Sequence, residues 1–392
     1  MPAETVKQFD ALERQAQALM SVFTKAGHEA VAPAFIQPAD VFLDAVGEAL
    51  RARTYVFTDP DGAELCLRPD LTGPTCRLHI ARNADPATPA KYCYNGPAFR
   101  FQPQGADDTH PREFRQAGIE SFGDKAREAA EASTIALIIS ALNSAGLKDW
   151  SLRLGDLGLF RAVLDAAQLP ARWQTRLSNA FWRQDAFRAE LKRLSTAPAE
   201  RAKRLPAELL SALSNGDTEK SEANVAAYLD ARKIDVVGTR SVAEMTEHLR
   251  DLAADAREKP LDAATARLIE SYVAISGPAP AAADKIAALL KGSKGGTGAA
   301  LDAYDRRLAA LSNAGIDLGR VTFSAEFGRN LEYYTGLVFE VVTPTLGPAS
   351  PVAGGGRCDK LMRAAGAKID VPAVGAAIHT ERLLQAVSGV QP

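Results

Sequence analysis

The order of strand-like and helical patterns along the chain is the feature that most constrains its fold. Short β-rich runs bounded by turn residues occupy the chain up to residue 156, and they resume from residue 315. Between them, residues 157–314 are rich in Ala and Leu at helical spacing. Strands and helices segregated in this way are typical of the α+β class. We predict an antiparallel sheet flanked by helices, built from residues 1–156 and 315–392, with a helical insertion at 157–314.

Local signals define several elements in the first β-rich part. A helix is predicted over 4–26, and TYVFTDPDGAELCLRPD predicts a hairpin around its DPDG turn. The segment TGPTCRLHIARNA predicts a helix with Thr72 as its N-cap and Pro74 in its first turn. The runs AKYCYNGPAFRF and FRQAGIESFG predict two strands, and the polar loop that joins them indicates antiparallel pairing.

The charge balance argues against a nucleic acid as the main partner. The 392 residues carry 46 Lys and Arg against 48 Asp and Glu, a formal net charge of −2. Nucleic-acid-binding domains usually carry a clear basic excess. The loop QPQGADDTHPRE carries the acidic residues Asp107 and Asp108, whose charge disfavours contact with phosphates. An alternative role for this loop is a metal site formed by these two carboxylates and His110.

The N-terminus and the cysteines indicate a cytoplasmic protein. The first residues, MPAETVKQFDALERQAQALM, form a mixed-charge amphipathic pattern without the apolar core of a signal peptide. No run of about 18 apolar residues occurs, so no membrane partner is expected. The cysteines show neither a CxxC pair nor zinc spacing. We therefore predict no metal and no cofactor.

Polar residues alternate with small ones along the predicted strand FRQAGIESF. The two-residue period of a strand places Gln116, Gly118 and Glu120 on one face. A glycine between two polar side chains leaves room for a small ligand against the backbone. The alternative is a sheet face covered by solvent.

A second group of polar residues precedes a core strand in the segment GRNLEYYTGLVFEVV. Arg329, Glu332, Tyr333 and Tyr334 stand at the start of the apolar run GLVFEVV. Arginine suits a carboxylate, and tyrosine hydroxyls suit a polar ring or an amine. The alternative is that the tyrosines cap the core and the charged residues face water.

Six segments, taken in order, resemble the class II aminoacyl-tRNA synthetases in their histidyl version: LRPDLTG, YNGPAFRF, FRQAGIESFG, NLEYYTGLVFE, AGGGRCDKL and GAAIHTERLL. GPAFRF is similar to the second motif of that class, GAAIHTERLL to the third, and FIQPADVF to the dimer-forming first motif. The resemblance covers about residues 4–155 and 320–390. It implies a class II synthetase-like fold and at least a homodimer.

The resemblance also implies a histidine pocket. Asp70, Thr72 and Gln116 would contact the α-amino group of the ligand. Asp70 stands where the family usually has a glutamate, so its shorter side chain would reach the amine through a water.

By the same resemblance, four further residues would contact the imidazole and the carboxylate of the ligand. Glu120 and Tyr334 would hold the two imidazole nitrogens, and Tyr333 would line the pocket. Arg329 would pair with the carboxylate. Each such charge-assisted hydrogen bond contributes about 1.5–3 kcal/mol.

The residues that would bind ATP depart from the family pattern. The second motif keeps Arg100 but has Gln102 where an active synthetase has glutamate. His379 occupies the position of a small glycine in the third motif, ahead of Arg382. The resemblance therefore implies a degraded ATP site and no catalytic residues.

These features together resemble the regulatory subunits of ATP phosphoribosyltransferase, a family related to histidyl-tRNA synthetase. Such a subunit is not an enzyme itself. It activates a short catalytic subunit in the first step of histidine biosynthesis and mediates feedback inhibition by L-histidine. The resemblance implies a hetero-oligomer with equal numbers of both subunits and no anticodon-binding domain. Two alternatives stay open: a truncated synthetase-like enzyme that forms histidyl-adenylate, and a dimer scaffold that binds no ligand.

Overall fold

The structure is a computed structural model, and it describes residues 5–39, 50–103, 105–107, 110–181, 183–203, 205–213, 218–234, 241–291, 297–328 and 333–389. The end of the FIQPADVF segment lies outside these ranges. The chain divides into two compact units. One unit combines Met1–Ala166 with Tyr272–Pro392, and the other is Ala167–Ser271.

The described strands form a nine-stranded sheet in the order β1-β5-β6-β12-β11-β10-β7-β9-β8 and a three-stranded sheet in the order β2-β4-β3. Their bounds are β1 Glu29–Ala30, β2 Ile36–Pro38, β3 Val56–Thr58, β4 Glu64–Leu67, β5 Ala90–Phe99, β6 Glu113–Phe122, β7 Ser151–Asp156, β8 Ser276–Pro278, β9 Val321–Ser324, β10 Leu337–Val342, β11 Ala353–Arg357 and β12 Ala373–His379.

The six central strands of the large sheet, from β5 to β7, pair antiparallel throughout. This confirms the predicted antiparallel sheet. The pairs β1–β5 and β7–β9 are parallel, so the sheet is mixed towards its two edges. The predicted pairing of the two strands around the polar loop is confirmed as β5 with β6, and the predicted hairpin as β3 with β4.

The helices described are α1 Val6–Lys25, α2 Thr72–Arg82, α3 Arg127–Ser144, α4 Leu157–Ala166, α5 Ala171–Ala180, α6 Gln184–Leu194, α7 Pro198–Ala202, α8 Ala207–Ala212, α9 Thr218–Ala231, α10 Val242–Asp255, α11 Ala263–Val273, α12 Ala279–Leu290, α13 Thr297–Asn313, α14 Leu361–Ala364 and α15 Thr380–Ser388. None of them is long and apolar enough to cross a membrane.

Strands from distant parts of the chain meet at the centre of the large sheet. Strand β12, near the end of the sequence, lies between β6 and β11. Strand β10 carries the apolar run LVFEVV, in which Val338 and Phe339 are fully buried. An apolar run of this kind is typical of a strand covered on both faces. The sheet therefore brings together the two parts of the chain that carry the candidate binding residues.

The region predicted as a helical insertion differs from the prediction in two respects. Residues 276–278 form strand β8, which pairs antiparallel with β9 at the edge of the large sheet. Contacts also group residues 157–166 and 272–314 with the sheet, and only Ala167–Ser271 forms the second unit.

The second unit is built around one buried carboxylate. Asp255 accepts hydrogen bonds from Nε1 of Trp173 at 2.7 Å, from Nε of Arg172 at 2.9 Å and from Nη2 of Arg193 at 2.9 Å. Burial raises the pKa of Asp255, but the hydrogen bonds from Trp173 and Arg172 outweigh it, and the pKa lies below its ordinary value. The carboxylate is therefore ionised and holds these helices together.

Candidate functional site

A pocket opens over the centre of the large sheet, beside the first turn of α2. It holds about 430 Å³ of empty space, part of it open to solvent. The residues that line it are Asp70, Thr72, Arg100, Gln116, Glu120, Tyr333, Tyr334, Gly354, Gly356, Cys358, Gly375, Ala376, Ala377 and His379. The structure thus brings together six of the seven residues predicted to bind histidine. The seventh, Arg329, lies outside the described residues.

Strand register explains why these side chains meet. Gln116 pairs with His379, and Glu120 pairs with Gly375, across β6 and β12. Gly375 in turn pairs with Gly356 across β12 and β11. Residues two apart on a strand share a face, so this register places the polar side chains of β6 beside the glycines of β12 and β11.

The start of α2 differs from the prediction. Thr72 is the first helical residue, and Leu71, at the N-cap position, makes no side-chain capping bond. The backbone N–H of Gly73 instead donates to Oδ1 of Asp70 at 3.2 Å. The predicted N-cap role of Thr72 is therefore wrong, because Thr72 already belongs to the helix as its first residue, and it lines the pocket.

Two carboxyl groups of the pocket are removed from water. Glu120 is 0% exposed and Asp70 is 3% exposed. Burial raises the pKa of Glu120 to about 8, although hydrogen bonds from Thr72 and Tyr94 lower it. Burial also raises the pKa of Asp70, while the positive charge of Arg100 opposes that rise. Removal from water disfavours the charged form, so an empty pocket holds these groups at an energetic disadvantage.

Three buried acceptor atoms in the pocket have no hydrogen-bond partner. They are Oδ2 of Asp70, Oε1 of Gln116 and Oε2 of Glu120. A buried polar atom without a partner costs about 1–3 kcal/mol, and most such atoms in native proteins are satisfied. All three are oxygens, so the pocket suits a ligand that carries several N–H donors.

The space that the sequence predicted above Gly118 is occupied. A Cβ atom at Gly118 would lie 2.6 Å from the hydroxyl oxygen of Tyr94. The glycine therefore makes room for the phenol of Tyr94 rather than for a ligand, which corrects the prediction. Gln116 and Glu120 do share one face, as predicted, and both line the pocket.

The two tyrosines of the segment GRNLEYYTGLVFEVV, which precede β10, line the pocket. Tyr333 and Tyr334 are each 7% exposed, and their ring centroids lie 4.7 Å apart. A Cβ atom at Gly356 would lie 2.9 Å from Cδ1 of Tyr334, so the ring rests on the bare backbone of β11. The two tyrosines thus pack with a hydrophobic core cluster and also line the pocket.

Two residues of the predicted ATP site, His379 and Arg100, contact the ring of Phe114. His379 stacks on Phe114 with 4.9 Å between ring centroids, and the guanidinium of Arg100 lies 4.9 Å from the same ring. Gln102 donates to the backbone oxygen of Pro111 at 2.9 Å, so its amide is engaged outside the pocket.

Arg382, the fourth residue of the predicted ATP site, forms a hydrogen bond outside the pocket. Its Nη1 donates to the backbone oxygen of Pro351 at 3.0 Å, and it does not line the pocket. Its neighbour Glu381 accepts from the backbone N–H of Arg115 at 2.7 Å. Arg100 and His379 thus face the pocket, whereas Gln102 and Arg382 do not.

Sequence reasoning missed two residues that shape the pocket. Tyr94 donates to Oε1 of Glu120 at 3.0 Å, and Gly375 lies directly under the carboxyl of Glu120. The signal for Tyr94 was its position in β5, directly opposite Gly118 in β6. A tyrosine paired with a glycine indicates an aromatic ring laid across the neighbouring strand.

The alternative metal site in the 102–113 loop is incomplete in the described residues. No group of three or more His, Cys, Asp or Glu side chains there is arranged to hold a metal ion. Asp107 accepts a hydrogen bond from the backbone N–H of His110 at 2.6 Å, and both side chains are exposed. Asp108 lies outside the described residues.

Comparison with known proteins gives a consistent family. A family model described as histidyl-tRNA synthetase matches residues 5–257 and 244–383. A protein of Rhizobium rhizogenes named ATP phosphoribosyltransferase regulatory subunit is 37% identical over 366 residues, 93% of this chain and 95% of that protein. One of the same name from Allorhizobium ampelinum is 38% identical over 374 residues, 94% of this chain and 96% of that protein.

Solved structures agree on the fold. A structure described as an ATP phosphoribosyltransferase regulatory subunit/histidyl-tRNA synthetase from Bacillus halodurans superposes with a TM-score of 0.68 at 20% identity, covering 99% of this chain and 82% of that one. A histidine–tRNA ligase subunit from Alicyclobacillus acidocaldarius gives a TM-score of 0.60 at 23% identity, covering 99% and 96%. The class II synthetase-like fold predicted from the sequence is confirmed.

Proposed function

The chain belongs to the regulatory subunits of ATP phosphoribosyltransferase, and from this premise we propose that its pocket binds L-histidine and controls a short catalytic subunit. That partner joins ATP to phosphoribosyl pyrophosphate in the first step of histidine biosynthesis. The chain activates it when the pocket is empty and inhibits it when histidine is bound. The name of its relatives supports a role in regulation rather than catalysis.

The unpartnered oxygens of the pocket carry the proposal for the ligand. Asp70 and Gln116 offer acceptors on one side, and Glu120 offers a third. Histidine carries an ammonium group with three donors and an imidazole with an N–H donor. The ammonium takes the oxygens of Asp70 and Gln116, together with the hydroxyl of Thr72. The imidazole N–H takes Oε2 of Glu120.

The second imidazole nitrogen and the carboxylate complete the proposed ligand contacts. The hydroxyl of Tyr334 can donate to the imidazole nitrogen, and Tyr333 covers the ring. Arg329 pairs with the carboxylate, because arginine and carboxylate form the strongest charge-assisted pairs available in proteins.

The surroundings of Phe114 support a pocket closed to nucleotides. His379 already stacks on that ring, where a planar base would otherwise lie. Gln102 adds no charge to hold a metal or a phosphate, and its amide is bonded to Pro111. We infer that ATP binds the catalytic subunit alone.

Regulation requires that histidine bind one state of the complex more tightly than another. Couplings of this kind amount typically to about 1–3 kcal/mol. The segment of Tyr333 and Tyr334 is suited to report occupancy, because the next residue, Thr335, donates its backbone N–H to Arg357 at 2.7 Å. Closure of the tyrosines over histidine is thereby linked to the end of β11. The assembly we propose is a cytoplasmic hetero-oligomer of equal subunit numbers, built on a homodimer of this chain.

A rate assay with the short catalytic subunit of the same organism tests this function. With both substrates fixed, adding this chain should raise the rate, and millimolar histidine should then suppress it. Glu120→Ala should weaken the suppression. Glu113→Ala is the matched control, because Glu113 lies on the same strand and is exposed. If the chain leaves the rate unchanged, the proposed function is wrong.

A second candidate is an enzyme that forms histidyl-adenylate, and the position of Arg100 in the pocket favours it. It predicts histidine-dependent exchange of pyrophosphate into ATP by the isolated chain. We expect no exchange. A third candidate, a scaffold without a ligand, predicts no rise in melting temperature with histidine, whereas a ligand that binds only the folded state must raise it.

A further inference from the structure

Tyr94 is linked to the pocket through a hydrogen bond to Glu120. It is fully buried in β5 and does not line the pocket. Its hydroxyl lies 3.0 Å from Oε1 of Glu120 and donates to it. Burial raises the pKa of Tyr94 well above its ordinary value, and the nearby Glu120 raises it further, so the phenol keeps its proton and acts as a donor.

Two glycines provide the space for this pair. A Cβ atom at Gly118 would lie 2.6 Å from the hydroxyl oxygen of Tyr94 and 2.7 Å from a carbon of its ring. A Cβ atom at Gly375 would lie 1.8 Å from Oε2 of Glu120. The phenol and the carboxyl therefore both lie flat on bare backbone, and neither can take up its observed position over a residue with a side chain.

The arrangement makes the two oxygens of Glu120 unequal. Oε1 is occupied by the hydroxyl of Tyr94, and Oε2 has no partner. We propose that Tyr94 is a positioning residue that holds Glu120 with one oxygen turned to the pocket, and so selects ligands that present an N–H donor at that point. The inference rests on the proposed binding of histidine, whose imidazole supplies such a donor.

A purely structural role for Tyr94 makes a different prediction. In that case histidine binding depends on the packing of the Tyr94 ring and not on its hydroxyl. Tyr94→Phe keeps the ring and removes the donor, so it separates the two roles. Tyr92→Phe is the matched control: Tyr92 is a direct cross-strand neighbour of Glu120 on the same strand as Tyr94 and is 4% exposed, but its hydroxyl lies 3.2 Å from Nδ1 of His79.

The first measurement is the dissociation constant for histidine by calorimetry in the full chain. Tyr94→Phe should weaken binding about 10-fold or more, because it removes a hydrogen bond that favours the ionised form of Glu120, the form that accepts from the imidazole. Tyr92→Phe should leave binding within about 2-fold of the wild type. Equal affinities of Tyr94→Phe and the wild type would overturn the proposal.

The second measurement needs no ligand. Carboxyl carbon NMR follows the titration of Glu120, with the signal assigned by Glu120→Gln. The titratable groups whose charges act on this carboxyl are Asp70, Tyr94, Tyr333, Cys76 and Cys358. Tyr94→Phe should raise the midpoint of Glu120 by about one to two pH units, since the lost hydrogen bond favoured the ionised form.

The two measurements separate the two hypotheses. If the wild type does not bind histidine, the proposed ligand is wrong, and the titration alone decides the role of Tyr94. An unchanged midpoint in Tyr94→Phe overturns the positioning role, whatever histidine does. A raised midpoint together with weakened binding supports it.

Discussion

Gly375 and Glu120 face each other across β12 and β6, and a Cβ atom at Gly375 would lie 1.8 Å from Oε2 of Glu120. No side chain fits between them. The carboxyl that we propose as the imidazole acceptor therefore depends on a glycine 255 residues further along the chain. The position of the Glu120 carboxyl is therefore set by the pairing of β6 with β12 and not by the sequence of β6 alone.

Gly375→Ala should disrupt the pocket. The added methyl group displaces Glu120 or β12, and overpacking of this kind destabilises by about 1–3 kcal/mol. We expect a lower melting temperature and no further rise on adding histidine. Gly298→Ala is the control, because a Cβ atom at Gly298 meets nothing within 4 Å. A normal histidine response in Gly375→Ala would contradict the assigned position of Glu120.

Glu120 should make the empty protein less stable as the pH rises from about 4.5 to 8. An unfolded glutamate ionises near 4.5, whereas burial raises the pKa of Glu120 to about 8, so the folded state holds one more proton between these values. This single group lowers the free energy of unfolding by up to about 1.4 kcal/mol per pH unit in that window.

Thermal unfolding of Glu120→Gln checks this pH dependence. The amide cannot ionise, so the variant should gain stability relative to the wild type as the pH rises from 5 to 8. Glu113→Gln, on the exposed part of the same strand, should follow the wild type at every pH. Parallel curves for Glu120→Gln and the wild type would show that the carboxyl does not titrate in this range.

A buried ion network supports the end of β11. Arg357, 1% exposed, contacts Glu131 and lies 2.9 Å from Asp359, and Nε of Arg307 lies 2.6 Å from the other oxygen of Glu131. Removing one partner of a buried pair typically costs about 3–5 kcal/mol, because a charge is left buried without compensation. Glu131 keeps its contact with Arg307 in Arg357→Met, so this variant should lower stability by at most that amount.

Urea unfolding measures the loss. The control is Arg82→Met, whose partner Glu29 lies 2.7 Å away on the surface and whose effect should be below about 1 kcal/mol. The backbone oxygen of Arg357 accepts from the N–H of Thr335, next to the two tyrosines, so a shift of β11 in Arg357→Met should weaken histidine binding as well. Similar losses in the two variants would argue against a special role for the buried network.

His379→Ala should open a face of Phe114. The imidazole now stacks on that ring at 4.9 Å between centroids, and such contacts contribute about 0.5–1.5 kcal/mol. We expect adenosine to raise the melting temperature of His379→Ala but not of the wild type. Adding Phe114→Leu to this variant should abolish the response. Adenosine binding by the wild type would contradict the view that His379 closes this space.

Much of this protein can be predicted from its sequence because local patterns have local causes. The two-residue alternation of FRQAGIESF placed Gln116 and Glu120 on one face, and the apolar run of β10 marked a central strand. The ordered segments also indicated the fold, which the family and the solved structures confirm. The candidate residues, Arg329 included, could be named in advance, and the six predicted histidine-binding residues that the structure describes meet in one pocket.

Only the tertiary structure decided which polar atoms of those residues can form hydrogen bonds with a ligand. The bond from Tyr94 to Glu120, the room above Gly375 and the inward turn of Thr72 all depend on register between strands far apart in the chain. Strand β8 joined the sheet at its edge although its surroundings are helical. Sequence patterns indicate which face of a strand a residue occupies. A hydrogen bond between distant segments, however, forms only where the donor and acceptor atoms come within about 3 Å of each other. That distance is set when the whole sheet assembles.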